Sequence, residues 1–370
     1  MAKPTTAVDP DYTFTPEELT TAFQRYRTEL ITMPMFAMNM ATQHMGVRTG
    51  IRYKEHLHEM KGNFQMGNYD KYKLGNGNVE LVQRTLETFF GNCVEPIDPN
   101  SIVHSLWGSD ITKGDALKNV PFVKRVCAYI MAQLGENMFN EMWTAKHDPT
   151  NTTETAKWFN GFLAIEDVEI GKGAMSEEEG NLYYLPEAFT TENTEDLVKD
   201  FYWGVADGWK GSDKKLRKQS LKLFMNDTVK HFYEESYQHN HGALPYNQHY
   251  EKAHLEGTTV EFVGLSNVPM DYLCLTPKNN ILTLWNQRTA DETFLVEKSL
   301  NSHYDLDFIA NMFYGEQYGS INKEKLCVAR LKDTGTEGNG ADGGDGADGG
   351  DGADGGNGAD GGDGAGNNEP

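Results

Sequence analysis

The chain has 370 residues, 38% of them hydrophobic, with a formal net charge of -22 at pH 7, enough apolar side chain for a sizeable core in two or three modules. That charge excludes a surface built to hold phosphate backbones, because nonspecific nucleic-acid affinity comes from Lys and Arg neutralising phosphates. Cys93, Cys127, Cys274 and Cys327 are widely spaced, without CxxC pairs, so a reducing compartment is expected; the start, MAKPTTAVDPDYTFTPEE, lacks an apolar signal region, and no run reaches the roughly 18 apolar residues of a membrane span.

In chain order, Thr15-Pro16-Glu17-Glu18 predicts a helix start, with Thr15 as cap, Pro16 in the first position and Glu18 closing a capping box. The helix should run to about Leu30. Methionines follow at 33, 35, 38, 40 and 45. Their thioethers suit copper(I), but the simpler reading is an adaptable apolar segment packed on the body or on a neighbouring subunit. Residues 62 to 78, GNFQMGNYDKYKLGNGN, carry turn signals at Gly67-Asn68 and Gly75-Asn76-Gly77. With VELVQRTLETFFGNCVEPIDP after them, they predict a long hairpin that needs cover from the body or from a partner.

Asn119 and Pro121 open the clearest helix, expected to reach about Ala145. Its stripe of Val123, Val126, Cys127, Ile130, Met131, Leu134, Met138 and Met142 steps by three and four. Next, FNGFLAIEDVEIGKGAMSEEEGNLYYL reads as short strand-like pieces broken at Gly161, Gly171, Gly173 and Gly180, and Glu177 to Glu179 as a solvated turn. A helix should start at Asn193 or Thr194 and run through about Trp209. Leu221 to Met225 resembles a buried strand, and Asp227 is placed to cap a helix holding Val229, Phe232, Tyr233 and Tyr237. Helices beside short strands, without a regular β-α-β rhythm, give an α+β class.

From Gly335 the sequence becomes a six-residue repeat of Gly, Ala and Asp. Such a segment has nothing to bury and is expected to be a disordered acidic tail. A calcium-binding β-roll would need a large aliphatic residue in each turn, where only Ala stands. Without the tail's nine carboxylates the remainder still carries -13.

Catalytic signals are weak. His231, His239, His241, His249 and His254 cluster, and His239-x-His241 with Glu234 or Glu235 offers metal ligands. HExxH is absent, and the helix breaks at Gly242, so polar surface at a helix end is the simpler expectation. No GxSxG, P-loop, dinucleotide fingerprint or kinase set occurs. Adjacent pairs such as Glu234 and Glu235 do not suit paired acid-base work. No catalytic, cofactor-binding or metal residues are assigned, and no enzyme activity is expected.

Several segments in order, LVQRTLETFFGNCVEPIDPN, FVKRVCAYIMAQLGENMFNEMW, FNGFLAIEDVEIGKGAMS, VEFVGLSNVPMDYLCLTPKNNILTLWN and YDLDFIANMFYGEQYGSINKEKLCVARL, resemble the major capsid proteins of tailed bacteriophages with the Hong Kong 97-type fold. Coverage runs from about residue 46 to 332. The resemblance implies an N-terminal arm (1-45), an E-loop region (46-118), a spine helix with a peripheral domain (119-195), an axial domain (196-300), a return to the peripheral domain (301-333) and the tail (334-370). It places assembly contacts at Phe64, Tyr69, Tyr72, Phe89, Phe90, Trp107, Val126, Ile130 and Leu134. An axial-domain turn is implied at Gly264, Leu265, Pro277, Asn279 and Asn280. It further implies an icosahedral head of pentamers and hexamers enclosing double-stranded DNA, assembled in the host cytoplasm, with a separate scaffolding protein and a portal. An encapsulin-type nanocompartment shares the fold and is the alternative; a metal enzyme at the 231-254 histidines is the more distant one.

Overall fold

The computed structural model describes residues 38–62, 66–69, 71, 79–97, 121–206, 216, 219–242, 253–285, 294–300 and 305–332. All lie in the first of two units, which ends at Lys332. The expected helix from Pro16 to Leu30, the turn at Gly75-Asn76-Gly77, the Gly/Asp tail, Phe64, Tyr72, Trp107, Trp209 and His249 lie outside the described residues.

A short helix α1 (Asn39–Thr42) leads into β1 (Gly46–Thr49), and the hairpin strands β2 (Lys54–Lys61) and β3 (Glu80–Glu87) pair with each other. There follow β4 (Phe89–Ile97), the long helix α2 (Pro121–Glu141), α3 (Phe162–Gly171), β5 (Leu182–Leu185) and α4 (Thr194–Phe201), which continues as a π-helical turn to Ala206. The last third holds β6 (Leu221–Met225), α5 (Asp227–His241), β7 (Glu261–Gly264), β8 (Tyr272–Pro277), β9 (Ile281–Trp285), β10 (Phe294–Lys298), β11 (Leu306–Tyr318) and β12 (Cys327–Leu331). The class is α+β, as the sequence predicts.

Two five-stranded sheets carry the body. One has the order β1-β9-β11-β10, with β4 also paired to β11; the other runs β5-β12-β8-β6-β7. β8 and β9 are apolar apart from Thr276 and Thr283 and buried on both sides, as expected of strands covered on both faces. Alternation within β8 divides two cores. Tyr272 and Cys274 join a core with Met138, Trp143 and Phe162, whereas Leu273 and Leu275 join one with Leu197, Phe201, Val229 and Tyr233. A period of two inside a mostly apolar run thus serves two helical layers at once.

Two expectations change. FLAIEDVEIG is helix α3, not strand pieces: Phe162, Ile165 and Glu166 are its buried residues, a three-and-four spacing that selects helix over strand. The glycines mark its boundaries, Gly161 as the extended N-cap and Gly173 with φ +73° beyond its end. The cap of α5 is Asn226, whose side chain accepts from the Thr228 N–H at 2.9 Å, rather than Asp227. The turn between β8 and β9 passes the chain from one sheet to the other, and the connection from β11 to β12 returns it.

The methionine-rich segment packs in part as expected: Met38 and Met45 are fully buried in the first core, while Met40 is exposed. Of the α2 stripe, Met131 and Met138 are buried and Met142 lies just past the helix end.

Gly161 permits a close approach of backbone to backbone in this core. A Cβ there would stand 2.7 Å from the carbonyl oxygens of both Met142 and Trp143, backbone that cannot rotate away. Gly161→Ala should therefore destabilise the subunit by about 1–3 kcal/mol as overpacking does, read as a lower urea midpoint at unchanged slope; an unchanged midpoint would refute this packing.

Candidate assembly surfaces

The β2–β3 hairpin is an arm with two unlike faces. Its register runs from Lys54↔Glu87 to Lys61↔Glu80, so residues 57, 59, 82, 84 and 86 share one face and 54, 56, 58, 60, 81, 83, 85 and 87 the other. The first face grips the body. Leu86 is fully buried with Ile51, Leu282 and Leu284. Arg84 donates to the Tyr318 carbonyl at 2.7 Å and to Gln317 Oε1 at 3.0 Å, with Glu169 at 3.7 Å. Glu59 receives Lys325 at 2.6 Å and the Asn322 amide at 3.1 Å. A Cβ on Gly315 would meet the Glu87 carbonyl oxygen at 2.4 Å, so glycine lets β11 pass the root of the arm. Tyr53, at φ +61°, turns the chain into the arm and sets its ring edge-on to Phe313 at 5.0 Å.

The second face looks outward. Lys54 pairs with Glu87 at 3.0 Å and His56 with Thr85 at 3.1 Å. His58 and Gln83 follow, and toward the tip Met60 and Leu81 stand side by side, 76% and 62% exposed. Met66, Tyr69 and Val79 extend the apolar surface beyond them.

A second exposed apolar band lies on β4 and β11. Their register pairs Phe90 with Phe313, Asn92 with Asn311, Val94 with Ile309 and Pro96 with Asp307, while β10 sets Glu297 opposite Asp307. Phe90 and Val94 are 52% and 49% exposed, and the Phe90 and Phe313 rings lie 4.8 Å apart. The reverse face of the strands packs inward, where a Cβ on Gly91 would strike the Trp158 indole at 2.2 Å.

Behind these surfaces are two buried carboxyl groups. Glu166 on α3 accepts from the hydroxyls of Tyr272 and Tyr318 at 2.5 and 2.6 Å, with Arg330 Nε at 3.3 Å. Burial raises its pKa against the pull of Arg330 and the two hydroxyls. Glu316 on β11 is buried with the Tyr314 hydroxyl donating to it. Burial pushes its carboxyl well above the ordinary value, with hydrogen bonds from Tyr314 and Thr283 opposing.

The histidines fall differently from the metal alternative. His239 is exposed, and His231 pairs with Glu235 at 3.2 Å. Glu195, His241 and Glu256 do converge, but the Lys199 ammonium lies against Glu195 and 3.0 Å from Glu256, where a cation would sit. The Glu195 carboxylate accepts from His241 Nε2 at 2.8 Å and from the Asn240 amide at 2.8 Å. The cluster is an ion-paired clamp between α4 and the end of α5.

Among the expected contact residues, Tyr69 and Phe90 are exposed, Phe89 is half-buried against His147 at 4.3 Å, and Ile130 and Leu134 are half-buried on α2, where Val126 also lies. The expected turn forms at Pro277 to Asn280, where the Asn280 N–H donates to the Pro277 carbonyl at 2.9 Å. Leu265 is buried in the core, and Gly264 backs onto α5 with Asp227 and Lys230 near its Cβ position. Asn280, 4% exposed, donates to the Ser320 carbonyl at 2.9 Å and to Thr276 Oγ1 at 3.0 Å, and accepts from the Ser320 N–H at 2.7 Å. Its amide satisfies buried backbone groups, so it braces the subunit; Asn279 is exposed and Pro277 is half-buried at the end of β8. Residues 53, 60, 81, 94 and 313 were not singled out, although the alternation of KEHLHEMK against ELVQRTLE carries the outward face of the arm.

No family model and no curated protein matches the chain. Among solved structures, it is similar to a chain of the satellite phage P4 procapsid including size determination (Sid) protein, at TM-score 0.54 and 10% identity, over 87% of this chain and 93% of that one. Weaker likenesses are to the cyanophage A-1(L) capsid, at TM-score 0.49 and 12% identity over 80% and 92% of the two chains, and to the capsid of the empty GTA particle, at 0.49 and 11% over 79% and 90%. The chain has the Hong Kong 97-type capsid fold. No helix among the described residues is long and apolar enough to cross a membrane.

Glu316 makes a pH prediction. A fold that holds the proton on a carboxyl with a raised pKa has its full stability below the unfolded value of about 4.3 and loses stability as pH rises toward the folded value. Glu316→Gln mimics the neutral acid, so its urea midpoint should gain on the wild type between pH 4.5 and 8. Parallel curves would mean that Glu316 is not a neutral acid.

Proposed function

We propose that this chain is the major capsid protein of a tailed bacteriophage, many copies of which close an icosahedral shell around double-stranded DNA. The observation that supports it best is the arm: a two-stranded hairpin with a bare apolar end, on a fold shared with a chain of a phage procapsid. A lone hairpin is marginal in water, and exposed apolar surface of this kind marks a protein contact. Neighbouring copies would supply the cover.

Pentamers and hexamers are the expected units, with a separate scaffolding protein and a portal as partners. The role is structural: Glu166 and Glu316 sit inside joints between strands and helices, where they hold the subunit together. The body's charge would keep an inner wall from gripping packaged DNA, which moves more freely against a surface of its own sign.

The test is negative-stain electron microscopy with light scattering on the protein alone and coexpressed with its genomic neighbours. Closed shells should form, deletion of residues 64–76 should leave a folded subunit that forms none, and removal of residues 335–370 should leave shells intact. A compact monomer under every condition would overturn the proposal. Shells that enclose a protein cargo and no DNA would replace it with the nanocompartment alternative.

A further inference from the structure

We infer that residues 38–45 form a strap between the two sheets, fastened by a protonation latch at His44 that is closed while the imidazole is neutral and opened by a proton. The latch lies within one subunit, so it stands or falls apart from the shell proposal.

The strap is tied to both sheets. Met38, Ala41 and Met45 are buried in the first core, and the Thr283 hydroxyl donates to the Met45 thioether at 3.7 Å. Directly after it, β1 pairs with β9 from Gly46↔Leu282 onward, which binds this end to the first sheet. His44 reaches the second. There Lys222 on β6 and Glu261 on β7 stand in register and pair at 2.7 Å, and the Lys222 ammonium lies 2.9 Å from His44 Nδ1. Helix α1 has four residues and no side-chain cap bond, too little to hold itself in water. Its place depends on these ties.

The contact fixes the charge on the ring. An ammonium has hydrogens to give and no lone pair to accept with, so Nδ1 is the acceptor and the neutral ring carries its proton on Nε2. A proton on Nδ1 removes that acceptor and sets a second cation against Lys222. Glu261 Oε1 lies 3.4 Å from the same nitrogen, but this carboxylate already holds Lys222. Two further groups bear on the site: Lys278 from the β8–β9 turn adds positive charge, and His254, bridged to Glu261, draws on the same carboxylate. Burial first, then Lys222, lowers the His44 pKa, with Glu261 opposing and Lys278 adding to the fall. A histidine held below its ordinary value of about 6.5 contributes fully above that value and loses its contribution as pH falls through the lowered one. The ring keeps 22% of its side-chain surface exposed, so solvent protons reach it.

The experiment reads the strap's buried methionines by oxidation. The full chain is treated with hydrogen peroxide at pH 7.5 and 5.5, either side of the ordinary histidine value of about 6.5. N-acetylmethionine amide in the same solution calibrates the reagent, and peptide mass spectrometry quantifies sulfoxide at each position. Met38 and Met45 should oxidise about tenfold faster at pH 5.5, within the roughly tenfold per pH unit that one proton allows. Met225, buried in the second core, should stay protected at both. His44→Gln, whose amide oxygen accepts from Lys222 without titrating, should abolish the dependence on pH. Lys222→Met should reverse it, because a protonated ring then has Glu261 without a competing ammonium. Equal Met45 rates at the two pH values in the wild type, or an acid increase retained in His44→Gln, would overturn the latch. An acid increase that includes Met225 would also overturn it, as loosening of the whole subunit. Should His44→Gln misfold by circular dichroism, Lys222→Met decides: an acid increase kept in that variant refutes the latch.

Discussion

The joint at Glu166 fixes how the two sheets meet. Tyr272 comes from β8 and Arg330 from β12 of one sheet, Tyr318 from β11 of the other, and all three converge on a carboxyl group carried by α3. A buried carboxylate costs several kcal/mol unless its partners are well placed. The geometry of these four elements is therefore set narrowly: a shift of either sheet would strand a charge in the interior. The same dependence explains why α3 must be a helix, since only its turn places Phe162 in the aromatic core beside Trp143, 4.8 Å away, while Glu166 reaches the tyrosines.

From that joint the exposed surfaces inherit their positions. β11 carries Tyr318 at its end, the carbonyl that holds Arg84, the glycine that admits the arm and the Phe313 ring of the aromatic band. One strand thus connects the interior, the arm and the band. One face of the arm grips the body through Leu86, Arg84 and Glu59, whereas β11 is paired to both β4 and β10 over residues 306–310 and to β9 from Tyr314 on.

Much of this was legible in the sequence where one period dominates. The long helix and the buried strand at Leu221 to Met225 follow from their spacing, whereas the hairpin expected over residues 62–99 pairs Lys54–Lys61 with Glu80–Glu87 and leaves Phe89–Ile97 to another sheet. α3 was missed because its glycines at 161, 171 and 173 look like strand breaks when they are helix boundaries, and because apolar residues outnumber polar ones, which blurs both periods. The turn at Pro-Lys-Asn-Asn was legible from its composition, but no local signal says that one of its amides closes on Ser320, forty residues later. The Glu166 joint is likewise invisible in one dimension, since its members are 106 and 152 residues from it. Assembly residues were placed by family likeness on Phe89 and Phe90 alike, yet strand alternation turns only the second outward.

The acidic charge bears on how the exposed apolar surface is used. Copies carrying a net charge of -22 repel one another at long range, so association between them has to draw on short-ranged apolar burial of the kind that Met60, Leu81 and Phe90 offer. Screening by salt weakens the repulsion between exposed charges more than it weakens apolar burial. Association by apolar surface is then favoured as ionic strength rises, whereas association by surface ion pairs is only loosened by salt.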